Sequence, residues 1–186
     1  MSEYIKVQET ILNELEKTLN GINQEEVNLL LNEIVNAEKV FFVGVGRVLL
    51  SLKSIAKRFA HLGINSVVVG QITEPAITSK DLLIVGSGSG ESIYPLKIAE
   101  KAQQYNAKIA HIGANSNGSM KKYTNFFIEI PTGTKYHETK KVDSVQPMTS
   151  LFEQSVLLLG DILSLMLIRN KNIDISSLWE YHANLE

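Results

Sequence analysis

Apolar residues at helical spacing open the chain. Over residues 2–19, Ile5, Leu12, Leu15 and Leu19 fall on one face, and over 24–37 Val27, Leu30, Leu31 and Ile34 repeat the pattern, so two amphipathic helices are predicted. From Lys39 onward the period changes. Continuous apolar runs at 40–43, 67–69, 82–85, 109–112 and 126–130 have the composition of strands buried on both faces. Helical patterns at 47–62 and 91–105 alternate with them, 73–79 reads as a short turn or helix, and 117–123 holds one or two turns. Alternation of this kind implies parallel strands joined by right-handed crossovers. The expected fold is α/β: a three-layer αβα sandwich with a five-stranded parallel sheet in the order 2-1-3-4-5, preceded by two helices. The polar stretch 131–146 is too long for an ordinary connection and is a candidate active-site loop. Pro147 then opens a long helix running to about 169.

Length and charge narrow the picture. A chain of 186 residues is expected to form one domain, 1–186, with a substantial core. A net charge of -2 supplies no broad basic field, which argues against a nucleic-acid partner. The absence of cysteine removes disulfides, thiolate nucleophiles and Cys-ligated zinc. No histidine pair has metal-ligand spacing, so no metal is expected. The N-terminal residues read as neither signal nor transit peptide. The most apolar stretch, 156–168, is interrupted by Gly160, Asp161 and Ser164 and is too short to span a bilayer, so it is expected to be a buried helix. A cytoplasmic protein without a membrane partner is the expectation.

The candidate chemistry sits in two glycine-rich turns. In an open parallel sheet, ligands bind beyond the carboxyl ends of the strands where strand order reverses. With the order 2-1-3-4-5 that point lies between strands one and three. There Gly44-Val45-Gly46-Arg47 would meet Ser87-Gly88-Ser89-Gly90-Glu91-Ser92. The second turn leads from a strand into a helix, where free amides and the helix dipole favour an anion. Glycines permit close approach and three hydroxyls can donate, so one phosphate monoester is the expected guest. The competing reading is an ordinary strand-to-helix turn with serine caps. A dinucleotide is disfavoured, because Leu49 stands where the fingerprint requires a third glycine and Gly70 is followed by Gln71 rather than an acid. No Gly-Lys-Ser or Gly-Lys-Thr follows either turn. No cofactor is implied.

These two turns, together with Gln146-Pro147-Met148 leading into Leu151-Phe152-Glu153 and the ending His182-Ala183-Asn184-Leu185-Glu186, resemble the sugar isomerase (SIS) domain family, and within it the hexuloisomerase branch. The resemblance covers nearly the whole chain. It implies isomerisation of 3-hexulose 6-phosphate to fructose 6-phosphate through a C2–C3 enediol, with no cofactor, in a homotetramer. Gly46, Arg47, Ser87, Gly88, Ser89 and Ser92 are the expected sugar-phosphate contacts.

Glu153 lies early in a largely apolar helix, where partial burial makes a carboxylate a stronger base. It is equally readable as an N-terminal acid favoured by the helix dipole, and the resemblance implies the base. His61 reads as a helix C-terminal histidine before Gly63, or, by the resemblance, as a group completing a neighbouring subunit's site. The resemblance also implies that His182 folds onto an active site. One departure is Val48-Leu49, where the branch carries Ser-Gly. A lost hydrogen bond to a charged group is worth about 1.5–3 kcal/mol unless Ser51 or Ser54 replaces it. His111, within a strand, is expected to be structural, and His137, Lys135, Lys140 and Lys141 to be solvated loop residues. The alternative function is a non-catalytic or differently specific SIS sugar-phosphate-binding protein.

Overall fold

The computed structural model describes residues 1–133 and 142–185. The chain runs α1 (Glu3–Asn20), α2 (Gln24–Asn36), β1 (Val40–Val43), α3 (Gly46–His61), β2 (Ser66–Val68), β3 (Leu82–Gly86), α4 (Ile93–Gln104), β4 (Lys108–Gly113), β5 (Phe126–Glu129) and α5 (Ser150–Asn170), with 3-10 turns at Ser119–Lys122 and Ile175–Tyr181. All five strands pair in parallel in the order β2-β1-β3-β4-β5. Fold class and strand order are those expected.

Period-two alternation sends neighbouring strand residues into different layers. Val40, Phe42, Leu82 and Ile84 pack with α2, α3 and α5. Phe41, Val43, Leu83 and Val85 pack with α4 and Met120. Two cores thus flank the central strands β1 and β3 and fix both of their carboxyl ends at one edge.

The 73–79 segment takes the turn side of the expected turn or helix, with turns at residues 72–73 and 79–80. Differences from the sequence reading occur at element starts. Helix α4 begins at Ile93 rather than 91, with Ser92 as its N-cap residue. Helix α5 begins at Ser150 rather than Pro147. The Pro147 carbonyl accepts from the Ser150 amide (3.3 Å) and hydroxyl (2.8 Å), and Met148, at φ 59°, is not helical. The α5 helix is also longer than the 156–168 stretch. Its 21 residues are long and apolar enough to cross a membrane by length and composition. Here Leu151, Phe152, Val156, Leu159, Leu163 and Leu167 are buried in the core. Gly160 lets α5 approach α3 closely, since a Cβ there would lie 2.2 Å from Ile55 Cγ1.

Candidate functional site

The carboxyl ends of β1 and β3 open onto a cleft of about 220 Å³ whose lining includes Gly46, Arg47, Ser87, Gly88, Ser89, Ser92, Thr149 and Glu153. Both glycine-rich turns therefore contribute to one cavity at the point where strand order reverses. Gly46 starts α3 with φ 57°, a conformation that excludes most side chains.

The serine loop is held from within and from behind. Ser87 is buried, and its hydroxyl accepts from the Gly90 amide (3.2 Å). The Ser89 hydroxyl accepts from the Glu91 amide (3.2 Å). Ser92 caps α4 by position but its hydroxyl takes no helix amide; it lies 3.5 Å from Ser87 Oγ. From β4 and its continuation, the Ser87 amide donates to the Ile112 carbonyl (3.1 Å), Ala114 donates to the Gly88 carbonyl (2.9 Å), and Asn115 Nδ2 donates to the Ser89 carbonyl (3.1 Å). The buried His111 ring adds a contact from Nε2 to the Ser87 carbonyl at 2.8 Å. Burial pushes the His111 pKa down to about 4, against the opposing pull of the Ser87 bond. His111 is therefore neutral at pH 7 and, because a carbonyl only accepts, its Nε2 carries the proton. The structural role expected of His111 is support of this loop.

Glu153 reaches the same cleft from the first turn of α5 and is buried. Thr149 Oγ1 donates to its Oε1 (2.9 Å), and Arg47 Nε pairs with its Oε2. Arg47, expected to contact phosphate, thus holds the carboxylate in this structure, while its side chain remains 67% exposed. Thr149 was not singled out in the sequence; its place four residues before Glu153 on a helix start was the available signal. Val48 packs against the floor, where a Cβ on Gly86 would meet Val48 Cγ1 at 2.7 Å. Neither Ser51 nor Ser54 lines the cleft. Ser51 donates to the Glu153 carbonyl (2.9 Å) and Ser54 to the Leu50 carbonyl (3.1 Å).

His61 and His182 lie elsewhere. Their rings stack at 5.2 Å, with Trp179 5.2 Å from His182 and Arg58 Nη1 3.4 Å from His61 Nδ1. His61 is at the C-terminal end of α3 and Arg47 at its start, a separation of about 20 Å at roughly 1.5 Å per residue. The two histidines are together, but not in this chain's own cleft. Lys135, His137, Lys140 and Lys141 lie outside the described residues. Among the described residues no group of three or more His, Asp or Glu side chains is arranged to hold a metal ion.

Chemically, the cleft combines neutral hydroxyl and amide donors at the start of α4 with one buried carboxylate. That combination suits a ligand bearing an anion at one end and an acidic C–H further along.

Comparison with known proteins extends this. A model of the SIS domain matches residues 33–158. The chain is 37% identical to the 3-hexulose-6-phosphate isomerase of Bacillus subtilis over 176 residues, covering 95% of each protein. It is 33% identical to the protein of that name from Mycobacterium gastri, covering 95% of this chain and 88% of that one. A crystal structure of a hypothetical protein from Methanococcus jannaschii, for which a 3-hexulose-6-phosphate isomerase function is inferred, superposes with a TM-score of 0.83 at 28% identity, covering 97% of this chain and 99% of that one. With the switch-point cleft, the shared topology and this degree of identity all in agreement, the chain belongs to the SIS domain family.

Proposed function

We propose that the protein isomerises 3-hexulose 6-phosphate to fructose 6-phosphate. The observation that carries this reading is the presence of the Glu153 carboxylate in the same cleft as the serine loop at the start of α4. The names of the relatives supply the sugar. The phosphate is assigned to Ser87, Ser89, Ser92 and the backbone of Gly46 and Gly88, with Arg47 as its cationic contact. Glu153 removes the proton from C2 of the 3-ketose, giving a 2,3-enediolate. The same carboxyl returns the proton to C3, while the hydroxyl proton passes from O2 to O3, leaving the carbonyl at C2. Thr149 orients the carboxylate by donating to Oε1. Neither metal nor cofactor is required by this route.

His61 and His182 are assigned to a neighbouring subunit's cleft, because their own lies most of the length of α3 away. That assignment rests on a homotetramer, and a cytoplasmic location completes the reading. The direct test mixes purified protein with 3-hexulose 6-phosphate and couples fructose 6-phosphate formation to a reporter. Turnover supports the proposal. Binding of fructose 6-phosphate without turnover would establish instead the non-catalytic reading, which the apolar Val48 on the cleft floor favours. Sedimentation at 20.7 kDa at micromolar concentration would remove the histidines from the site.

A further inference from the structure

Glu14, on α1, is distant in sequence from both glycine turns and was not among the candidate site residues. It is nonetheless buried to 7% exposure, unusual for a carboxylate outside a site. Its side chain accepts three hydrogen bonds from one short segment of chain. Ser144 Oγ donates to Oε2 at 2.6 Å, the Val145 amide to Oε1 at 2.9 Å, and Gln146 Nε2 to Oε2 at 2.9 Å. Burial by itself would push the carboxyl up. The three donors and the nearby charge of Lys17 outweigh it and hold the carboxyl below its usual range. Glu14 is thus charged at neutral pH and fully engaged with residues 144–146.

This segment adjoins the reacting groups. Ser144 lines a cavity of about 420 Å³ that shares Gly133, Thr149 and Phe152 with the cleft. Only Pro147 and Met148 separate Gln146 from Thr149. Proline fixes its own φ, and Met148 is set at φ 59°, so this connection has little freedom. Thr149 in turn donates to Glu153 Oε1.

We propose that Glu14 is a positioning residue: its carboxylate anchors residues 144–146 to α1 and, through the Pro147-Met148 turn, aims the Thr149 hydroxyl at Glu153. The proposal rests on the isomerase reading of the cleft. The Glu14→Gln variant keeps the side chain's size but replaces one acceptor oxygen with a donor facing donors. Its expected signature is a turnover loss of roughly tenfold with KM changed by less than about threefold, because a displaced catalytic contact affects the reaction more than ground-state binding. In a Thr149→Val background the same substitution is expected to add little, since both act on one contact. Additive losses, or unchanged turnover in Glu14→Gln, would overturn the proposal. Hydrogen exchange at the Val145 amide provides a readout without turnover, with faster exchange expected in the variant. If the wild type has no isomerase activity, the cleft reading fails alone and this amide decides the anchor, equal exchange overturning it. Should Glu14→Gln not fold, Ser144→Ala removes one donor without altering α1 and is expected to give the same pattern at smaller amplitude; unchanged Val145 exchange there would overturn the anchor.

Discussion

The Arg47 guanidinium and the Glu153 carboxylate are paired across the cleft that also holds the serine loop, joining the first turn of α3 to the first turn of α5. Glu153 is buried, whereas the Arg47 side chain is largely exposed. A phosphate entering the cleft offers Arg47 a second anion close to its present one. On the proposed isomerase reading, Arg47 would both bind the phosphate and govern how firmly the carboxylate is held.

Arg47→Ala is expected to raise KM for the sugar phosphate by about 10–100-fold, the range for losing a hydrogen bond to a charged group. Titration with fructose 6-phosphate should show the same loss of affinity. An unchanged KM would make the ion pair purely structural.

Glu153→Gln separates a base from a helix-dipole acid. The amide retains shape and a hydrogen-bonding head but cannot take the C2 proton. Loss of a general base lowers rate by about 10²–10⁴, whereas loss of a dipole contact is worth only about 0.3–1 kcal/mol of stability. The expected result is at least a roughly hundredfold loss of turnover with substrate affinity retained, and no deuterium entering from solvent at C2. Wild-type exchange in the variant would remove Glu153 from the chemistry.

The serines are expected to divide by what they already bind. The Ser92 hydroxyl satisfies no helix amide, so Ser92→Ala should weaken sugar-phosphate binding about tenfold or more while leaving the melting temperature unchanged. The buried Ser87 hydroxyl accepts from Gly90, so Ser87→Ala should lower both affinity and stability. Calorimetric titration and thermal melts of the two variants give the comparison. Equal stability losses would contradict the division.

The sheet and its switch point were legible in the chain because strands buried on both faces must be continuously apolar, and five such runs separated by helical patterns leave few topologies. The start of α5 was misread because Pro147 suits a first helical turn as well as the turn it occupies, and only Met148 at φ 59° decides between them. Both glycine turns were visible for a related reason: close approach and positive φ leave a mark in residue type. The Arg47–Glu153 and Glu14–Ser144 contacts were not visible as contacts. Each depends on how α1, α3 and α5 are placed in three dimensions, and polar side chains carry no periodic signal of their partners. The stacking of His182 on His61 was likewise not visible, because it is set by packing of the C-terminal 3-10 turn on α3.

Gly160→Ala tests the contact between α3 and α5 that frames the cleft. The added methyl would lie 2.2 Å from Ile55 Cγ1 and 2.5 Å from Cδ1, so the helices must part or Ile55 must leave its rotamer. Overpacking of this kind destabilises by about 1–3 kcal/mol. Urea denaturation should detect it, and the loss should be smaller in an Ile55→Ala background because the clash is removed. Additivity of the two substitutions would show that the contact is not the cause.

His111 has its pKa depressed from 6.5 in an ordinary setting to about 4 by burial beneath the serine loop. Between these values the unfolded chain binds a proton that the folded chain does not, so stability falls as pH is lowered through that window. From pH 7.5 to 5 the loss is roughly 2 kcal/mol. Glu14 behaves differently. Its folded pKa lies below the ordinary 4.5, so its contribution is intact above about 4.5 and is lost only as pH falls further. The slope between pH 6.5 and 4.5 therefore reports His111. Replacing it by Gln retains a donor for the Ser87 carbonyl but nothing that titrates, so urea midpoints of His111→Gln should be nearly flat across this range while the wild type declines. If both decline equally, some other group is responsible. If the variant alone also loses sugar-phosphate affinity at pH 7.5, the ring's fit beneath the loop, beyond its single hydrogen bond, sets the position of Ser87.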